Sequence, residues 1–124
     1  MTRRLLVVDD EPDIRAIVAR SLQALAGWEV ETVSSGRDAL ERAAASRPDA
    51  ILLDVMMPGL DGPGTVAELR ATEATAQIPV VMLTAKVQPS ELRRLEAMPV
   101  AGVIAKPFDP MTLHERVAEL LGWT

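Results

Sequence analysis

Cysteine is absent from the 124 residues, which excludes disulfides, thiolate nucleophiles and zinc held by sulfur. The single histidine, His114, leaves no histidine cluster to hold a transition metal either. Basic charge is in deficit. A net charge of -5 and a pI near 4.8 argue against nucleic acid as a direct partner, because phosphate binding needs a basic face. No apolar run approaches the ~20 residues of a membrane span. The apolar stretch after Met1-Thr2-Arg3-Arg4 reaches only from Leu5 to Val8, too short for the core of a signal peptide. These absences predict a cytoplasmic chain, not inserted in a membrane, whose partners are proteins or cations. Its length suits one domain over 1–124.

What is present is an alternation of short apolar runs with helical patterns. Leu5 to Val8 reads as a buried strand running into Asp9-Asp10-Glu11-Pro12, where the proline can open a helix. Ile14, Ile17, Val18, Leu22 and Leu25 then recur at helical spacing up to a stop at Gly27. Glu29 to Val33 reads as a mixed strand, and Ser35-Gly36-Arg37-Asp38 as a capping box opening an Ala-rich helix that ends at Arg47-Pro48. The strand Ala50 to Asp54 meets the loop Pro58-Gly59, after which Asp61 caps a helix begun at Pro63 and carrying Val66 and Leu69. A further strand is expected over Ile78 to Thr84, and a helix after Pro89-Ser90 with Leu92 and Leu95. The last strand, Gly102 to Ala105, ends at Lys106-Pro107. Asp109 and Pro110 are expected as N-cap and first position of a helix with Leu113, Val117 and Leu120, closed by Gly122. Five strands alternating with five helices predict a doubly wound α/β fold with a parallel sheet covered on both faces.

Right-handed crossovers bring all strand ends to one edge of such a sheet. Asp9, Asp10, Asp54, Thr84 and Lys106 all close expected strands, so one crevice gathers three carboxylates, a hydroxyl and an ammonium. Carboxylates packed together repel unless a cation neutralises them, and a donor set of oxygens points to a hard divalent ion, Mg²⁺ first. A carboxylate beside a metal, a lysine and a hydroxyl is equipped to stabilise a phosphoryl group, with Asp54 as the nucleophile forming an acyl phosphate.

Four segments together carry a family resemblance: Val8-Asp9-Asp10-Glu11-Pro12, Leu53 through Gly62, Leu83-Thr84-Ala85-Lys86 and Lys106-Pro107-Phe108. In order and spacing they resemble the receiver domain of two-component response regulators. The resemblance implies a flavodoxin-like strand order 2-1-3-4-5 and a phosphoacceptor role for Asp54, with the phosphoryl group coming from a histidine kinase or histidine phosphotransfer protein. It implies Mg²⁺ held by Asp10, Asp54 and the Met56 carbonyl, with Asp9 acting through water. Thr84 becomes the switch hydroxyl, and Lys106, before a cis proline bond, the partner of the phosphoryl group. The chain departs from the family at Val103, where receivers commonly carry Tyr or Phe, and at Met98-Pro99-Val100 before the last strand.

Taken singly, these residues have ordinary explanations: Asp9 as a helix cap, Thr84 as a strand residue, Lys106 as a solvated surface lysine. Met56 and Met57 read as packing residues, His114 as a solvated side chain, and Trp28 and Trp123 as covers for core edges. The set favours a single receiver without an output domain: a phosphoacceptor rather than an enzyme, acting on an unidentified downstream protein. Whether phosphorylation dimerises it stays open, as does the choice between a target-binding regulator and a phosphate sink. An unphosphorylated scaffold is the alternative. A haloacid-dehalogenase-type phosphatase is disfavoured, since that class needs a second aspartate where Met56 stands.

Overall fold

The structure, a computed structural model, describes residues 2–85 and 88–123. Lys86, part of one motif noted above, lies outside them. Ten elements alternate along the chain: β1 (Arg4–Val8), α1 (Pro12–Ala26), β2 (Glu29–Val33), α2 (Gly36–Ser46), β3 (Ala50–Asp54), α3 (Gly62–Ala71), β4 (Val80–Thr84), α4 (Pro89–Glu96), β5 (Gly102–Ala105) and α5 (Leu113–Leu121). The strands form one parallel sheet in the order β2-β1-β3-β4-β5. No helix among the described residues is long and apolar enough to cross a membrane.

The two-residue period of a strand divides the core between the two faces of the sheet. Leu6, Val8, Ile51, Leu53, Val80 and Met82 pack with Ala39, Ala43, Val66, Leu69 and Leu95 of α2, α3 and α4. Their neighbours Leu5, Val7, Leu52, Val81, Leu83 and Ile104 pack with Val18, Leu22, Leu113 and Val117 of α1 and α5. The three central strands β1, β3 and β4 are apolar almost throughout because helices cover them on both sides.

Most helix ends follow the local chemistry of the sequence. Pro12 opens α1, and Gly27 closes it in the left-handed region at φ 70°. Ser35 Oγ accepts from the Asp38 N–H at 3.1 Å, and Asp61 Oδ1 from the Gly64 N–H at 2.8 Å. Trp28 and Trp123 do cover a core edge, meeting edge to face with ring centroids 5.2 Å apart, with the Arg3 guanidinium 4.6 Å from the Trp123 ring.

Three expectations are corrected. α5 begins at Leu113 with Thr112 as its cap, not at Pro110 with Asp109. Asp109 instead builds a separate turn: its carboxylate accepts from the Met111 N–H at 2.9 Å and its carbonyl from Thr112 and Leu113. Thr112, at φ -118° and ψ -3°, breaks the helical run between that turn and α5. β4 starts at Val80 rather than Ile78, because the Ile78 N–H turns back to the Thr75 carbonyl and Pro79 has no N–H to give. His114 is half-buried rather than solvated, with Nδ1 shut away from solvent and without a hydrogen-bond partner among the described residues.

Candidate functional site

Register decides which strand ends meet. Val8 lies beside Leu53, Asp54 beside Leu83, and Thr84 beside Ala105, so the carboxyl ends of β1, β3, β4 and β5 finish within a residue or two of one another. Backbone bonds extend the ladder past the strands, from the Asp9 N–H to the Val33 carbonyl and from the Lys106 N–H to the Thr84 carbonyl. Asp9, Asp54 and Thr84 are buried at this edge, and Asp10 and Lys106 half-buried.

Lys106 Nζ sits 3.2 Å from Asp9 Oδ2 and 3.1 Å from Asp54 Oδ1, bridging two carboxylates that would otherwise face each other unpaired. Asp9 Oδ1 also accepts the Glu11 N–H at 2.9 Å. One carboxylate oxygen from each of Asp9, Asp10 and Asp54 lies within 4.8 Å of the others. That spread is comparable to twice the oxygen distance of a hard divalent cation, about 4 to 5 Å. Three acids against one lysine leave negative charge in excess, and the donors are all oxygen, so the cluster fits Mg²⁺. The Lys106-Pro107 bond is cis, as the resemblance implies. The reading of Met56 as a packing residue is corrected, since its side chain is 54% exposed in the loop after β3, whereas Met57 is buried in the core as expected. Val103 packs half-buried against the core under α4.

Burial pushes the Asp54 carboxyl above the usual range, the hydrogen bond and charge of Lys106 oppose this, and the Asp9 charge adds to it. Burial pulls Lys106 down, but hydrogen bonds and charges of Asp54 and Asp9 outweigh it and leave the ammonium above its ordinary value. A carboxyl raised in the folded state favours folding most below its unfolded pKa, and stability falls as pH climbs from that value through the folded one. Asp54→Asn removes this loss. In chelator at neutral pH the variant is expected to be more stable than the parent in urea unfolding, with the gain disappearing as pH falls toward the ordinary carboxylate range. An equal or lower stability at neutral pH contradicts it.

Gly62 brings α3 against the end of β3. A Cβ there would lie 2.7 Å from Val55 Cα and 3.0 Å from the Asp54 carbonyl oxygen, while the Gly62 N–H donates to the Val55 carbonyl at 2.9 Å. Backbone cannot yield as a side chain does. Gly62→Ala is therefore expected to cost about 1 to 2 kcal/mol in urea unfolding, and an unchanged midpoint refutes the contact.

The structure also supplies residues the sequence did not single out. Arg15 Nη1 donates to the Asp9 carbonyl at 2.7 Å. Arg4 Nη2 donates to the Ser46 and Arg47 carbonyls at the end of α2. Arg70 donates to the Pro99, Ala76 and Ile78 carbonyls, which explains how the unusual Met98-Pro99-Val100 stretch is held. Each is an arginine paired to main-chain oxygens, and no local pattern marks such a residue.

Comparison with known proteins agrees with this geometry. The response regulator receiver domain family matches residues 5–118. Chemotaxis protein CheY4 of Vibrio cholerae superposes with a TM-score of 0.88 at 36% identity, covering 97% of this chain and 99% of that one. The receiver domain of a Pseudomonas aeruginosa sensor histidine kinase, with a magnesium ion coordinated in its active-site cleft, superposes at 0.85 with 32% identity over 98% and 99% of the two chains. By sequence, the chain is 36% identical to the alkaline phosphatase synthesis transcriptional regulatory protein PhoP of Bacillus subtilis, over 98% of this chain and 49% of the relative. It is 42% identical to the transcriptional regulatory protein PrrA of Mycobacterium leprae, over 95% and 49%. The chain thus spans about half the length of the curated relatives it matches. A parallel sheet ordered 2-1-3-4-5, an acidic cluster bridged by a lysine, and these matches together identify the chain as a member of the response regulator receiver domain family.

Proposed function

We propose that this receiver accepts a phosphoryl group on Asp54 from the phosphohistidine of a histidine kinase or histidine phosphotransfer protein. The observation that carries the reading is the buried Asp54 carboxylate at the end of β3, 3.1 Å from Lys106 Nζ and grouped with Asp9 and Asp10. An Asp54 oxygen attacks phosphorus as the bond to the imidazole nitrogen breaks, and that nitrogen keeps the electron pair. Lys106 then turns from the carboxylate to a phosphoryl oxygen, where its charge offsets the charge being moved. Asp10, Asp54 and the Met56 carbonyl would hold Mg²⁺, with Asp9 beside them through water. When bound, the ion neutralises carboxylate and phosphoryl oxygens together. Thr84, at the end of the neighbouring strand, is read as the hydroxyl that bonds the new phosphoryl group and shifts the partner-binding surface. In this reading the chain is a phosphoacceptor and not a turnover enzyme, and its output is binding to a downstream protein.

Incubation with acetyl phosphate tests the reading without a cognate kinase. Intact mass is expected to rise by one phosphoryl group in Mg²⁺ and not in chelator. A folded protein that gains nothing under either condition overturns it.

A further inference from the structure

Every polar group of Asp9 has a partner. Its N–H donates to the Val33 carbonyl at 3.2 Å, Oδ1 accepts from the Glu11 N–H at 2.9 Å, and Oδ2 faces Lys106 Nζ at 3.2 Å. Its carbonyl accepts from Arg15 Nη1 at 2.7 Å, the shortest of the four. That carbonyl belongs to the peptide unit joining Asp9 to Asp10, and the unit is planar, so fixing the oxygen also fixes the N–H of Asp10 and the direction of its Cα. Asp10 has no comparable restraint: among the described residues no donor holds its carboxylate, which is half-buried at the mouth of the cluster. Arg15 reaches back from α1, six residues along the chain, and spans the turn that carries Asp10.

We propose that Arg15 is a positioning residue for the metal site, its guanidinium fixing the Asp9 carbonyl so that Asp10 leaves β1 toward Asp9 and Asp54. The proposal rests on the magnesium reading above. An always-charged donor suits the task, since a carbonyl accepts strongly from an ionised group. The charge of Arg15 has the opposite influence, because a cation near the cluster repels Mg²⁺. Position and charge therefore predict opposite signs when Arg15 is removed.

The experiment is a calorimetric titration of Mg²⁺ alone into the chelator-stripped full chain, on the unmodified protein, Arg15→Met and Arg15→Lys. Methionine keeps the aliphatic stem packed and removes the donor, and melting in chelator monitors folding independently of the metal. Arg15→Met is expected to bind Mg²⁺ about tenfold more weakly, the low end of what loss of a supporting contact to a ligand costs. Arg15→Lys, which keeps a charged donor, is expected to recover most of that loss. Unchanged or tighter binding by Arg15→Met overturns the proposal while leaving the metal reading standing, and so does a lysine variant as weak as the methionine one. Absence of binding by the unmodified protein overturns the metal reading and this proposal with it.

Discussion

Lys106→Met is expected to slow phosphorylation of Asp54 by a small donor by about 10²- to 10³-fold at saturating Mg²⁺, the usual cost of removing one preorganised charge from a transition state. Nζ lies 3.2 Å from Asp9 and 3.1 Å from Asp54, so it already stands where a phosphoryl oxygen on Asp54 would need a counter-charge. The same change acts on stability in a way that separates it from general damage. Without the ammonium, two buried carboxylates lose their partner, which in chelator is expected to cost about 3 kcal/mol, and Mg²⁺ is expected to restore most of it. Magnesium affinity itself should rise, because a competing cation has gone. The raised pKa of Lys106 fixes the alkaline behaviour of the parent. Its contribution is fully present below the unfolded pKa, about 10.4, and is lost as pH rises through the higher folded value; the variant has no such step. An unchanged phosphorylation rate in folded Lys106→Met would remove lysine from the mechanism.

Arg70→Met is expected to destabilise the protein by about 3 kcal/mol in urea unfolding, with phosphorylation of the folded fraction retained. The guanidinium gives Nε and Nη2 to the Pro99 carbonyl at 3.2 and 3.0 Å, and Nη1 to Ile78 and Ala76 at 2.8 and 3.2 Å. It therefore ties the end of α3 to the approach of β4 and to the connection between α4 and β5. Burial lowers its pKa without discharging it, so these are charge-assisted bonds. Lysine, with one point charge in place of a fork, is expected to rescue less than half of the loss. Amide exchange adds a local readout: protection around Met98, Val100 and Ala101 should fall more than protection in β1. A uniform fall would contradict the clamp.

The site was legible because a single constraint determines it. In a parallel sheet every strand must end on the same side, so Asp9, Asp54, Thr84 and Lys106, each closing an apolar run, could be brought together before any contact was known. The period-two patterns and the caps at Ser35, Asp61 and Gly27 carried most of the fold for the same reason: their chemistry is local. Arg4, Arg15 and Arg70 escaped notice because their acceptors are main-chain oxygens brought near by folding, and an arginine in sequence looks alike whether solvated or clamped. Asp109-Pro110 misled because an aspartate before proline begins a turn as readily as a helix, and the backbone of Thr112 decides between them. His114 misled because exposure of one residue on an amphipathic helix depends on the rotation of that helix against its neighbours.

The most direct test of the central claim locates the phosphoryl group. After incubation with acetyl phosphate and Mg²⁺, borohydride reduces an aspartyl phosphate to homoserine, and tandem mass spectrometry of the digest reads its position. Homoserine at residue 54 alone, absent when Mg²⁺ is withheld, is the predicted result. Homoserine at any other aspartate, or a phosphoryl group on a residue that borohydride does not reduce, would contradict the assignment of Asp54 as the acceptor.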